Sequence, residues 1–343
     1  MVIYGFIESI DISPFREEDG VFLKEYLEIN GVKQGLMIEG ENRKNPVLLF
    51  LHGGPGFPIY PLVRGEKLNL HKYFTVCYWD QRGTGMSYYK PSLQQPLALE
   101  QLKTDTLALT NYLLEKFDKE KIYIMGHSWG SFLGSIIVGS HPEFFHAYIG
   151  TGQVGDQTES EKETRDFLWR MAQHREDKRA MEEIRHIEVD QFYYKNQAYG
   201  KLRDKYLIQF GGGMMRENFS NGKLMKYYLR CKEYKMKERL NVLRGAMNSF
   251  PLIQNLAMSQ LIHLIPEMKV PIFILQGKYD YETTHNQAKK YIDEVKAPSK
   301  HFYTFENSAH SPFLEEKQRF YHIIENDILK IPKTPRNMSG FVE

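Results

Sequence analysis

The apolar positions along the chain fall into short runs separated by longer, mixed stretches. Residues 21–40, VFLKEYLEINGVKQGLMIEG, hold two alternating runs around Asn30-Gly31. That dipeptide between alternating hydrophobics predicts an antiparallel hairpin with a two-residue turn. From there the pattern changes to continuous apolar runs: PVLLFLH (46–52), FTVCYWD (74–80), KIYIM (121–125), AYIGTG (147–152), PIFILQ (271–276) and HFYTFE (301–306). Unbroken runs of this length suit strands covered on both faces, as in a parallel sheet. Leu99–Phe117 carries Leu102, Leu109, Leu113 and Phe117 near helical spacing, which predicts a helix. About eight strands alternating with helices after the hairpin predict an α/β fold with a mostly parallel sheet.

The alternation stops between about Gln157 and Met268. This stretch is rich in Lys, Arg, Glu, Tyr and Met, has helical character and shows no clear strand. It falls between two core strands and predicts a helical cap (157–268) inserted into a core made of 1–156 and 269–343. Gly211-Gly212-Gly213 reads as a loop or hinge within it. The segment lacks the preceding strand and the following G-K-[ST] of a phosphate cradle.

The run at 121–125 leads into Gly126-His127-Ser128-Trp129-Gly130 and then a small-residue apolar segment, SFLGSIIVG. This is G-x-S-x-G in a strand–turn–helix context. Glycines at both ends of so tight a turn let strand and helix approach closely. Ser128 then stands at the apex as a candidate nucleophile, and the Trp129 N–H opens the helix, aimed where an oxyanion develops.

A serine hydroxyl needs a base, and the base an orienting acid. Asp280 in QGKYDYET and His310 in ENSAHSPF each follow a predicted strand, at the carboxyl ends where open α/β sheets place their sites. Ser128, Asp280 and His310 are therefore the candidate triad. Asp156 and Glu282 are the rival acids. His127 is expected to be structural, His141 to lie in a loop and His285 to be helical. The glycines of His52-Gly53-Gly54-Pro55-Gly56 expose backbone N–H groups; Gly54 is the first choice as oxyanion partner of Trp129, and Gly53 the second. In Asp80-Gln81-Arg82-Gly83, Asp80 and Arg82 are expected to tie neighbouring loops through charge-assisted hydrogen bonds.

HGGPG at 52–56, DQRGTGMS at 80–87 and GHSWG at 126–130 together resemble the proline iminopeptidase branch of the α/β-hydrolases. The resemblance implies a Ser128–Asp280–His310 triad, an acyl-enzyme, no cofactor and a cap that selects substrate. Members recognise a free N-terminal amine with cap carboxylates, partly from a Trp-Glu pair. Here the cap's one Trp, Trp169, has no Glu beside it. Glu159, Glu161, Glu163, Glu182, Glu183, Asp204 and Glu217 are read as solvated helix-face charges. Met214-Met215 and Tyr227-Tyr228 read as cap core, with the lining of a large apolar pocket as the alternative.

Composition adds exclusions. Across 343 residues, 42% are hydrophobic and 26% charged, ordinary for a globular chain. A net charge of +2 gives no steering toward nucleic acid or an anionic membrane. No run of about 18 apolar residues exists, and the N-terminus lacks a basic leader. Cys77 and Cys231 are expected to be buried free thiols, which suits a reducing cytoplasm. No Cys or His pair has metal-ligand spacing. Three functions remain open: an aminopeptidase on short peptides with an N-terminal proline or another small residue, an esterase or lactonase on a bulky or macrocyclic ester, and a non-enzymatic small-molecule receptor on the same fold.

Overall fold

The computed structural model describes residues 4–12, 19–89 and 96–332. Among the described residues nine strands form one sheet: β1 (Tyr4–Asp11), β2 (Val21–Ile29), β3 (Val32–Gly40), β4 (Val47–Leu51), β5 (Thr75–Trp79), β6 (Ile122–His127), β7 (Phe145–Thr151), β8 (Ile272–Gly277) and β9 (Lys300–Phe305). Their order is β1-β2-β3-β5-β4-β6-β7-β8-β9. Pairs from β1 to β5 along that order are antiparallel, and every pair beyond β5 is parallel. The Asn30-Gly31 hairpin joins β2 to β3, with both residues at positive φ (49° and 74°) as a primed turn requires. The strand beyond the eight expected is β1. It lies at the sheet edge with Phe6 and Ile7 exposed, so it lacks the buried face that makes strands readable.

The central strands explain their own composition. Leu49 and Leu51 of β4 pack into one cluster with Cys77, Trp79 and Ile124; Leu48 and Phe50 pack into the other with Val76, Tyr78 and Met125. Successive side chains alternate faces, both faces are covered, and the inner positions are apolar; the buried polar residues Thr75, His127, Thr151 and Gln276 fall at or next to strand ends. On the first face lie α2 (Leu99–Lys116) and α3 (Trp129–Ser140), which follow α1 (Tyr60–Gly65) in the chain. Cys77 and Cys231 are both buried and free.

Between β7 and β8 the chain leaves the sheet and forms α4 (Gln157–His174), α5 (Lys178–Ile184), α6 (Gln197–Phe210), α7 (Asn221–Arg230), α8 (Met236–Asn248), α9 (Phe250–Ala257) and α10 (Leu261–Leu264). These helices are tied to the sheet by buried polar contacts. Lys24 on β2 pairs with Glu238 on α8 at 2.6 Å, and Tyr26 donates to the same carboxylate. The chain returns through α11 (His285–Glu294), α12 (Pro312–Glu315) and α13 (Lys317–Ile323). No helix among the described residues is long and apolar enough to cross a membrane.

Candidate active site

The turn after β6 is held by contacts that admit only glycine. A Cβ on Gly130 would lie 2.1 Å from the Leu51 carbonyl oxygen, and one on Gly126 2.3 Å from that of Gly130. Strand and helix thus meet backbone to backbone. Ser128 takes φ 56°, ψ −124° at the apex, a conformation an L-residue holds only when its surroundings impose it. Its side chain lines a cleft beside Gly53, Gly54 and His310.

Asp280 and His310 follow β8 and β9 and meet at that cleft. His310 Nδ1 donates to Asp280 Oδ2 at 2.9 Å. That bond fixes the tautomer and leaves Nε2 as the acceptor. Asp280 is almost wholly buried and fully engaged: the Glu282 and Thr283 N–H groups donate to Oδ1 at 2.9 and 3.0 Å, and the Gln276 amide to Oδ2 at 2.7 Å. Burial pulls the His310 pKa down, but the charge and hydrogen bond of Asp280 outweigh it, so the pKa is raised. Gly152, at φ 52°, passes so close that a Cβ there would sit 2.7 Å from His310 Cε1.

The rival groups have other work. Asp156 caps α4, accepting from the Glu159 N–H at 3.1 Å, and takes a bond from Gln260. His141 ends α3 and His285 begins α11. His127 is buried beside His310, 4.7 Å between ring centres, and its Nε2 donates to the His310 carbonyl at 3.1 Å. Burial and then the His310 charge push its pKa well below the ordinary value, so it holds the His310 backbone as a neutral ring.

The glycine loop carries a cis peptide at Gly54-Pro55. Gly53 abuts Ser128: its Cβ would be 2.8 Å from Ser128 Cβ. The organiser of this loop is Gln81, which the sequence reading passed over between Asp80 and Arg82. Its N–H donates to His52 Nε2 (3.1 Å), its side chain donates to the His52 carbonyl (2.9 Å), and its amide oxygen accepts from the Trp129 indole (3.1 Å). One amide therefore ties the residue before the glycines to the Trp129 side chain. Asp80 and Arg82 point to different partners. Arg82 forms a bidentate pair with Asp105 of α2, both bonds 2.7 Å. Asp80 accepts from Tyr234 OH at 2.5 Å and from the Met86 N–H, and burial raises its pKa to about 7.

The cleft has two lobes that share Gly54, Ser128, Arg203, Asp204, Ile253 and Glu282. The first, about 370 Å³, is walled by Phe57, Leu62, Met214, Phe219 and Leu224 together with His310. The second, about 300 Å³, is walled by Glu161, Tyr193, Tyr194, Asn196 and Tyr199. Expectation fails at Glu161. It is buried rather than solvated, accepting from Arg203 at 2.7 Å and Tyr199 OH at 2.6 Å. Its place at the fifth position of α4 turns it toward the cleft, while Glu159 and Lys162 pair outside. Arg203 also binds Glu282 at 2.7 Å and Asp204 at 3.3 Å. Burial pushes the Glu282 carboxyl up, but Arg203 and then His310 outweigh it and hold the pKa low. Of the paired residues read as core, Met214 and Tyr228 line the cleft, while Met215 and Tyr227 pack beside the sheet. Among the described residues no group of three or more His, Cys, Asp or Glu could hold a metal ion.

A family model described as the alpha/beta hydrolase fold matches residues 46–317. The chain belongs to the α/β-hydrolase family. Among relatives of this α/β-hydrolase, a probable aminopeptidase of Bacillus subtilis, YbaC, is 32% identical over 306 residues, spanning 89% of this chain and 95% of that one. A proline iminopeptidase of Saccharolobus solfataricus is 26% identical over 297 residues, 85% and 86% of the two chains. In three dimensions the chain resembles VinJ (TM-score 0.63, 17% identity, 90% and 99% coverage). It also resembles an esterase from Exiguobacterium antarcticum (TM-score 0.57, 17% identity, 87% and 97% coverage). The likeness to solved structures speaks to the fold alone; family and relatives together make this α/β-hydrolase a serine hydrolase.

Proposed function

We propose that this α/β-hydrolase is an aminopeptidase that releases an N-terminal residue from short peptides through an acyl-enzyme. The observation that carries this reading is the charge beside Ser128. Glu161, Asp204 and Glu282 each pair with Arg203. The Glu161 and Glu282 carboxylates against one guanidinium leave an excess of negative charge in a partly desolvated cleft, which an ammonium complements.

In this mechanism Ser128 Oγ attacks the carbonyl carbon and its proton passes to His310 Nε2. Asp280 holds the imidazole in place and stabilises the imidazolium. The N–H groups of Gly54 and Trp129 hold the oxyanion, with Gly53 keeping the loop against Ser128. The C–N bond breaks as His310 returns the proton to the departing nitrogen. Water, deprotonated by His310, then cleaves the acyl-enzyme and regenerates Ser128. The stretch 157–268 acts as the cap that supplies Glu161, Arg203 and Asp204.

The test compares prolyl- and alanyl-β-naphthylamide with the propionyl analogue, which lacks the amine, with Ser128→Ala beside them. Turnover abolished in Ser128→Ala and slower by about ten- to hundred-fold on the propionyl amide is expected, the range of a hydrogen bond between charged groups. Equal turnover with and without the amine would overturn the reading. The apolar lobe favours a second reading, an esterase on a bulky ester; turnover of a p-nitrophenyl ester with no amide cleavage would select it. A folded sample that a fluorophosphonate fails to label would favour a receptor instead.

A further inference from the structure

The two lobes differ in chemistry, and His310 distinguishes them. Among the described residues His310 stands in the wall of the apolar lobe and not in that of the acidic lobe. The imidazole that takes the Ser128 proton must hand it to the leaving nitrogen from within hydrogen-bonding reach, about 2.6–3.2 Å. The departing amine therefore sits on the His310 side of the scissile bond. The acyl group, on the far side of the carbonyl, extends toward Glu161 and the tyrosines. Phe57, Leu62, Phe219 and Leu224 line the His310 side alone, while Glu161 and Tyr199 line the other side alone, so an ammonium deep among the former would lose solvation far from Glu161.

From this arrangement we infer that the enzyme selects substrates by a large apolar leaving group: an α-aminoacyl amide in which the residue or group after the scissile bond is aromatic or branched aliphatic. The inference rests on the aminopeptidase reading and adds the identity of the leaving-group side. The volumes agree with it. About 370 Å³ on the His310 side is more than a glycinamide or alaninamide fills, and its lining offers a side chain mainly dispersion and desolvation. The bond that breaks is the C–N bond. Its nitrogen leaves as a free amine with the proton relayed by His310, and the aminoacyl group stays on Ser128 until water takes it. Binding energy from the apolar group is available while the bond is being broken and is lost when the amine departs, so it acts on kcat/KM of acylation.

The experiment holds the acyl residue constant and varies the leaving group: alanyl-glycinamide, alanyl-leucinamide and alanyl-phenylalaninamide, each beside its propionyl counterpart. The expected result is a rise in kcat/KM of about ten-fold or more from glycinamide to phenylalaninamide. Leu224→Glu, which places a charge in the apolar lobe, should shrink the phenylalaninamide-to-glycinamide ratio. That ratio is read within one preparation, so partial unfolding lowers both rates and leaves it unchanged. A flat or falling series in the unaltered enzyme overturns the inference, as does a ratio that Leu224→Glu leaves intact. If propionyl and alanyl substrates react equally while the leaving-group series still rises, the amine reading fails and the apolar-lobe assignment stands.

Discussion

Gly53→Ala tests the oxyanion geometry with little disturbance elsewhere. The backbone at Gly53 is not at positive φ, so an alanine can adopt it. The added methyl carbon would stand 2.8 Å from Ser128 Cβ and 3.0 Å from the His127 carbonyl oxygen. Carbon atoms rest about 3.5–4.0 Å apart, so the glycine loop must withdraw from Ser128 by roughly 0.7–1.2 Å. His52 and Gln81 are buried and cross-bonded, which directs the displacement into Gly53 and Gly54. A misplacement near 1 Å costs about a hundred-fold in rate, and loss of one oxyanion donor about 10²–10³-fold. We therefore expect kcat to fall about 10²–10³-fold with KM little changed, and stability to fall by about 1–3 kcal/mol as for an overpacked site. Steady-state kinetics on alanyl-β-naphthylamide, a fluorophosphonate titration of Ser128 and a thermal melt read the three quantities. A variant that melts normally and keeps kcat to within about three-fold would remove this loop from the oxyanion site.

Three further outcomes are expected. Asp280→Asn should lower kcat by about 10⁴-fold, as it does where a triad acid fixes the tautomer; in the unaltered enzyme the acid limb of kcat/KM should lie above the ordinary histidine value of 6.5, because Asp280 raises the His310 pKa, and an acid limb below 6.5 would contradict the pairing. Arg203→Met leaves Glu161 and Glu282 without their cation and should destabilise by about 3–5 kcal/mol, with Arg203→Met/Glu161→Gln recovering part of it in chemical denaturation; an unchanged midpoint would refute the buried network. Asp80 has a pKa raised from 3.8 to about 7, so the folded state holds a proton that the unfolded state releases, and stability falls as pH rises through that window. Asp80→Asn should flatten this part of the stability–pH curve, leaving the contribution of Glu315, raised to about 7 by its own burial; an unaltered slope would place the Asp80 proton elsewhere.

The elements that faced a simple environment could be read from the chain. Central strands buried on both faces wrote themselves as apolar runs, and the glycines around Ser128 marked a turn whose contacts exclude any Cβ. Asp280 and His310, which the fold brings into hydrogen-bonding contact, could be singled out because loops after parallel strands are where such sheets place polar groups. What resisted reading depends on partners distant in sequence. Gln81 looks like any loop amide until His52 and Trp129 are folded around it. Glu161 looks like any helix charge until Arg203, 42 positions on, is brought against it. Periodicity tells which face a residue takes, not what waits on the other side. The edge strand β1 lacked even that signal, since both of its faces carry exposed apolar side chains.

The Asp280 loop after β8 is gripped by the helices that interrupt the sheet. Thr164 donates to the Tyr281 carbonyl at 2.7 Å, Gln157 to the Glu282 carbonyl at 2.8 Å, and the Thr284 N–H to Ser160 at 3.2 Å. Phe167 stacks on Tyr281 with ring centres 3.7 Å apart. The carbonyls of Gly212 and Gly213 receive the N–H groups of Tyr281 and His310. The helical excursion is thus a splint for the machinery beneath it, and the two are not interchangeable modules. Transplanting a foreign excursion onto this sheet to obtain a new specificity would loosen Asp280 and His310 together. A chimera built here must carry Gln157, Ser160, Thr164, Phe167 and the glycine loop with the scaffold, and vary only the walls between them.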